Sequence, residues 1–183
     1  MSAWDSRRFR ILECRIRETV TGKRHVIDVP FYIYLYKPEL ELECIREFKN
    51  LVIRLRKDKI IAETISLASL MIDSLEHLGC LDEQFLSEEK LRRKEIYEDL
   101  ERELPKEIAK RLKNMLKNKD VSHCVILLRA GSLFPFVHIS NLLTRLEGSV
   151  RCTLVLPYPG NKEGNMLNYQ GRSVRTYYRG EII

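Results

Sequence analysis

The chain has 183 residues, enough for one core of ordinary size, and its 44% hydrophobic and 32% charged content excludes a wholly disordered protein. Lys and Arg number 32 against 26 Asp and Glu, a net charge of +6 that favours polyanions without establishing that one is bound. No apolar run reaches the ~18 residues of a membrane span. Residues 1–10 are polar and basic with no apolar stretch behind them, so no signal peptide is read there and the chain is expected to be cytoplasmic.

Phe9, Leu12 and Ile16 recur at helical spacing behind Asp5, which predicts a capped N-terminal helical segment over about 1–20. The β-branched and aromatic run 29–36 predicts a strand, with Pro30 at its start because proline cannot donate to a central ladder. Pro38 suits the first turn of a helix; Cys44, Ile45, Phe48, Leu51, Val52 and Leu55 give it one apolar face. Residues 60–67 read as a second strand, and Leu70, Met71, Leu75 and Leu78 as a helix closed by Gly79. A charge-dense helical insertion over about 83–119 follows, with Pro105 expected to kink it or split it in two.

The unalternating apolar run 124–128 predicts a parallel strand buried on both faces. After the turn 129–135 comes a helix with Ile139, Leu142, Leu143 and Leu146 inward and Gly148 as its stop. A strand over 150–156, a loop of turn formers over 157–164 and a candidate last strand within 175–183 complete the chain. The alternation predicts one α/β domain over 1–183: a three-layer αβα arrangement with a mostly parallel central sheet, Rossmann-like or P-loop-like in topology but without a Walker A motif.

In such a sheet ligands bind beyond the carboxyl ends of the strands, which directs attention to the loops 129–135 and 157–164. Gly131 and Ser132, between a strand and a helix, resemble an anion-cradling turn, with Arg129 beside them and His138 on the helix behind. Neither G-x-x-x-x-G-K-[ST] nor G-x-G-x-x-G occurs, and no G-x-S-x-G frames a serine nucleophile. The five cysteines and four histidines are dispersed without a C-x-x-C pair, so neither metal nor cofactor is expected. The C-terminal third interleaves Arg172, Arg175 and Arg179 with Tyr158, Tyr177 and Tyr178, residue types that suit protein hot spots and also phosphate contacts.

Four pieces in order carry a family resemblance: the run 29–43, the segment 131–136 with Asn141, Leu142 and Leu143 behind it, the Pro159-Gly160 turn, and Tyr177-Tyr178-Arg179. Together they resemble BrxB, a small component of BREX phage-resistance systems, from about Val26 onward. Four residues depart from the family pattern, Arg129-Ala130 in place of a Thr-Gly pair and His138 and Ser140 in place of Arg and His, and the loop after Pro159-Gly160 is short. The resemblance implies a multi-protein defence system that methylates host DNA, and a member without established catalysis that acts with the phosphatase-like PglZ and the methyltransferase.

The expected function is therefore that of a non-catalytic assembly subunit binding a PglZ-like partner and other BREX components, with DNA possible in the assembled complex and no membrane. Arg129, Gly131, Ser132, His138, Tyr158, Arg172, Arg175, Tyr177, Tyr178 and Arg179 are the candidate contacts. A degenerate nucleotide- or anion-binding domain, or a direct DNA-binding component, is the alternative.

Overall fold

Asp5 accepts a hydrogen bond from the backbone N–H of Arg8 and caps α1 (Ser6–Val20), which buries Phe9, Leu12 and Ile16 as its spacing requires. The computed structural model describes residues 4–24, 30–170, 172–175 and 180–183, with Leu86, Arg172, Val174 and Arg175 described by backbone alone. β1 (Phe31–Tyr36) begins just after Pro30, and a single 3-10 turn at Pro38–Leu40 leads into α2 (Glu41–Lys57). Acidic Glu41 and Glu43 lie in the first turn of α2 and Arg54, Arg56 and Lys57 in the last, matching the helix dipole at both ends. β2 (Ile61–Ser66), α3 (Leu67–His77), α4 (Glu83–Leu116), β3 (His123–Leu128), α5 (Ile139–Leu146) and β4 (Thr153–Pro159) follow.

Four of these strands and the short β8 (Glu181–Ile182) form one sheet in the order β2-β3-β4-β1-β8, every pair parallel. The strand period of two then divides the core between the faces. Phe31, Ile33, Val125, Leu127, Leu154 and Leu156 meet α3, α4 and α5 on one side. Tyr32, Tyr34, Ile126, Leu128 and Val155 meet α1 and α2 on the other. This is the predicted three-layer α/β arrangement.

The chain departs from expectation in α4. Pro105 does not divide it; the backbone leaves helical geometry at Arg92 instead, with φ −124° and ψ 32°. Leu104, Ile108, Leu112 and Leu116 are all essentially inaccessible, and this packing keeps the backbone helical through the proline. The carbonyl that Pro105 cannot bond belongs to Glu101, an exposed residue, where solvent can satisfy it. Before Arg92 the helix is mostly exposed, Leu91 at 86%, so no comparable packing holds its backbone.

Two polar devices stabilise the α1–α2 side. The guanidinium of Arg56 donates to the carbonyl of Ala62 at 2.8 Å, covering part of the open edge of β2. Glu13 accepts from Arg54 at 2.8 Å and from Arg17 at 2.6 Å, and Arg17 also pairs with Asp58, which ties α1 to α2. Burial alone would raise the Glu13 carboxyl, but the hydrogen bonds from Arg54 and Arg17 outweigh it and hold its pKa below 4.5. A carboxyl lowered in the folded state stabilises the fold above its unfolded pKa and loses that contribution as pH falls through the folded one. Urea midpoints measured from pH 7 downward should therefore fall less steeply for Glu13→Gln than for the parent below about 4.5. Parallel curves would remove Glu13 from the acid response.

Candidate functional site

β1 and β4 are neighbours, yet the chain covers them from opposite sides: α2 follows β1 on one face and α5 precedes β4 on the other. A crevice opens where a sheet changes winding in this way. Here it holds about 460 Å³ between Lys37, Pro38 and Glu39 beyond β1 and Gly160, Asn168 and Tyr169 beyond β4.

The β4 side of the crevice differs from the expected loop over 157–164. β4 runs on to Pro159, although Pro157 and Pro159 lie in an internal strand. The N–H groups of Leu154 and Gly160 donate to the β1 side, at Pro30 and Tyr36, so even positions of β4 face β1 and odd positions face β3. Pairing with β3 ends at Val155. Both prolines therefore present their missing donors where no partner strand remains, and the ladder loses nothing.

Beyond Gly160 the chain forms a second, antiparallel sheet of β5 (Asn161–Glu163), β6 (Met166–Tyr169) and β7 (Arg172–Arg175). Gly164 and Gln170 take positive φ at its two turns, 57° and 47°. The signals for this meander are the Gly164-Asn165 and Gln170-Gly171 pairs between short alternating runs, and they are weak because β5 to β7 are brief and polar.

The meander carries Tyr169 onto the Gly131 turn. A methyl on Gly131 would lie 2.8 Å from the Tyr169 hydroxyl and 3.1 Å from Pro159. The Tyr169 ring meets Phe134 edge-on at 5.6 Å and Tyr158 at 6.2 Å. The turn itself is a short 3-10 segment, Ala130–Leu133, entered by Arg129 in the left-handed region at φ 64°. Ser132 donates its hydroxyl to the Arg129 carbonyl at 2.7 Å. α5 starts only at Ile139, so the strand–glycine–helix cradle expected at Gly131-Ser132 is not built. Its place is filled by a packed tyrosine.

A family model described as BREX protein BrxB matches residues 63–182, about two thirds of the chain. The chain belongs to the BrxB family. No curated protein and no solved structure matches it. The match begins at Glu63 rather than near Val26, so the 29–43 run that contributed to the resemblance lies outside it, as do α1, β1 and α2. The crevice is thus shared: Gly160, Asn168 and Tyr169 come from the BrxB-matching part, Lys37 to Glu39 from the part before it.

Within this BrxB-family chain the expected contact residues separate. Arg129 is exposed at the edge, Gly131 and Ser132 are half-buried, and Gly131 lies beneath Tyr169. His138 is exposed just before α5, where its carbonyl accepts from Leu142. Tyr158 is only 7% exposed and packs rather than presenting a surface, and burial followed by the neighbouring Tyr169 pushes its hydroxyl up to about 12. Tyr36, at the end of β1, is raised further by burial and by its hydrogen bond to Glu41. Neither phenol can serve as a base near neutral pH. Arg172 and Arg175 lie on β7, while Tyr177, Tyr178 and Arg179 lie outside the described residues.

One other group looks chemical. Asp120, Ser122 and His123 converge at the opposite, amino edge of the sheet. Asp120 accepts from the Ser122 hydroxyl at 2.5 Å and contacts His123 Nδ1 at 2.8 Å. Ser122 meets that same ring nitrogen at 3.3 Å. A nucleophilic triad needs serine and carboxylate on different imidazole nitrogens, so this arrangement is a cap on the turn into β3. Its hydrogen bonds, from the Ser122 hydroxyl first, hold Asp120 down to about 2. Among the described residues no group of three or more His, Cys, Asp or Glu is placed to hold a metal, and no described helix is long and apolar enough to cross a membrane.

Proposed function

We propose that this BREX component is a non-catalytic assembly subunit that binds a PglZ-like phosphatase-fold partner through the carboxyl edge of its sheet, with the methyltransferase as a further partner. The observation that carries the reading is Tyr169 seated on Gly131, at the kind of strand-end turn where an α/β domain can hold a phosphate. That packing turns the strand ends and the antiparallel meander into a firm surface rather than an open pocket. Arg129 at the edge, β7 with Arg172 and Arg175, and the Tyr-Tyr-Arg sequence at 177–179 add the residue types that anchor protein interfaces.

Co-purification tests it directly. The chain should retain the PglZ-like protein of its own BREX system, and Arg175→Glu with Arg179→Glu should reduce that capture at least about tenfold, the effect of losing about 1.4 kcal/mol of binding, with an unchanged thermal melt. Undiminished capture by the doubly reversed variant would remove this surface from the interface.

A further inference from the structure

The positive charge of this protein is not evenly spread. Residues 1–60 contain 14 Lys and Arg against nine Asp and Glu, so this third of the chain holds five of the six excess charges. In the fold it supplies α1 and α2, which together cover one whole face of the sheet. The rest of the chain is nearly neutral: residues 61–183 hold 18 Lys and Arg against 17 Asp and Glu, and on α4 Arg92 pairs with Glu95, Arg102 with Asp99, Lys106 with Glu103 and Arg111 with Glu107.

On the α1–α2 layer, Arg7, Arg10, Lys49, Lys57 and Lys59 are exposed and stand outside every ion pair among the described residues. Arg10 lines a groove of about 570 Å³ between the two helices, where Arg17 and Arg54 are held in place by Glu13. We propose that this layer is an electrostatic docking surface for the phosphate backbone of duplex DNA. Three observations select that occupant. The free cations are distributed over two adjacent helices and, at Lys59, the turn after α2, which suits an extended polyanion. No aromatic ring among the described residues of the layer is exposed, so the stacking platform of a single-strand binder is missing. Of the exposed apolar residues on the two helices, Ile11 is alone on α1, and Leu42 and Ile53 lie on one face of α2 but some 16 Å apart with Arg46 and Lys49 between them, which leaves no continuous apolar stripe to enter a bilayer.

The surface is separate from the carboxyl edge and precedes the BrxB-matching residues, so its failure would leave the partner-binding reading intact. The test is fluorescence anisotropy of the full chain with a short mixed-sequence DNA duplex. Five neutralised phosphates would give a slope of log K on log salt near −4.5, a loss of about 500-fold between about 50 and 200 mM salt. Arg10→Glu with Lys49→Glu should flatten the slope by about two and weaken binding at least about tenfold at low salt. Lys90→Glu with Lys162→Glu, away from this layer, should change neither. No binding at low salt, equal loss in both variants, or tighter binding to phosphatidylserine vesicles or to poly-glutamate would overturn the proposal.

Discussion

Phe48→Ala should cost about 3–5 kcal/mol of folding stability, the range for emptying a fully buried phenylalanine site. Phe48 is inaccessible to solvent on α2 and is the meeting point of three other rings. Phe9 of α1 stands edge-on at 5.0 Å, Tyr34 of β1 at 5.8 Å and Trp4 at 6.5 Å. These aromatics join α1, α2 and the sheet, and rings this rigid cannot collapse into the space a benzyl group leaves. A domain with 5–15 kcal/mol of total stability would keep little margin at 37 °C. Urea unfolding should show a lower midpoint, and Phe48→Leu, which preserves most of the volume, should recover more than half of the loss. A cost below about 1 kcal/mol for the alanine variant would mean that α1 and α2 are not locked together by this cluster.

Gly160→Ala should be the most damaging change at the proposed binding edge. The backbone of Gly160 is pressed against the carbonyl of Asn168, and an added methyl would fall inside contact distance of that oxygen and at 3.0 Å from the Tyr158 ring. The neighbour is backbone within β6, so relief requires the meander to shift away from β4. The N–H of Gly160 also donates to the Tyr36 carbonyl at 2.8 Å, which limits movement on the other side. Overpacking of this kind costs about 1–3 kcal/mol, and more where the backbone itself must move. The effect should be local as well as global: amide exchange should quicken over 161–170, and Tyr169 should loosen its seat on Gly131. Gly148→Ala is the matched control, since nothing lies within 4 Å of the added methyl and only the positive φ of 70° is penalised, by about 1 kcal/mol. Equal losses for the two variants, with no change in exchange over 161–170, would show that the close approach at Gly160 has no structural consequence.

The sequence by itself determined the layers. Helical spacing of Phe9, Leu12 and Ile16 and the apolar face of α2 placed two helices, and the unalternating run at 124–128 declared a strand buried on both faces. These signals are local, because a periodicity of two or 3.6 is written along one segment and needs no partner to be read. The end of β3 before Arg129 was legible in the same way, because an apolar run marks its own limit, whereas Tyr158, expected in a loop, is buried within β4.

Only the tertiary structure decided what that edge contains. The prolines at 157 and 159 signal a loop when read alone. They are tolerated in β4 because β3 has already parted from it, a fact about a neighbouring strand. Pro105 is likewise carried within α4 by the core against which Leu104 and Ile108 pack. The meeting of Tyr169 with Gly131 joins residues 38 positions apart through a meander whose strands are too short and polar to announce themselves. Contacts of this kind depend on where separate segments are brought by the sheet, and no single stretch of chain records them.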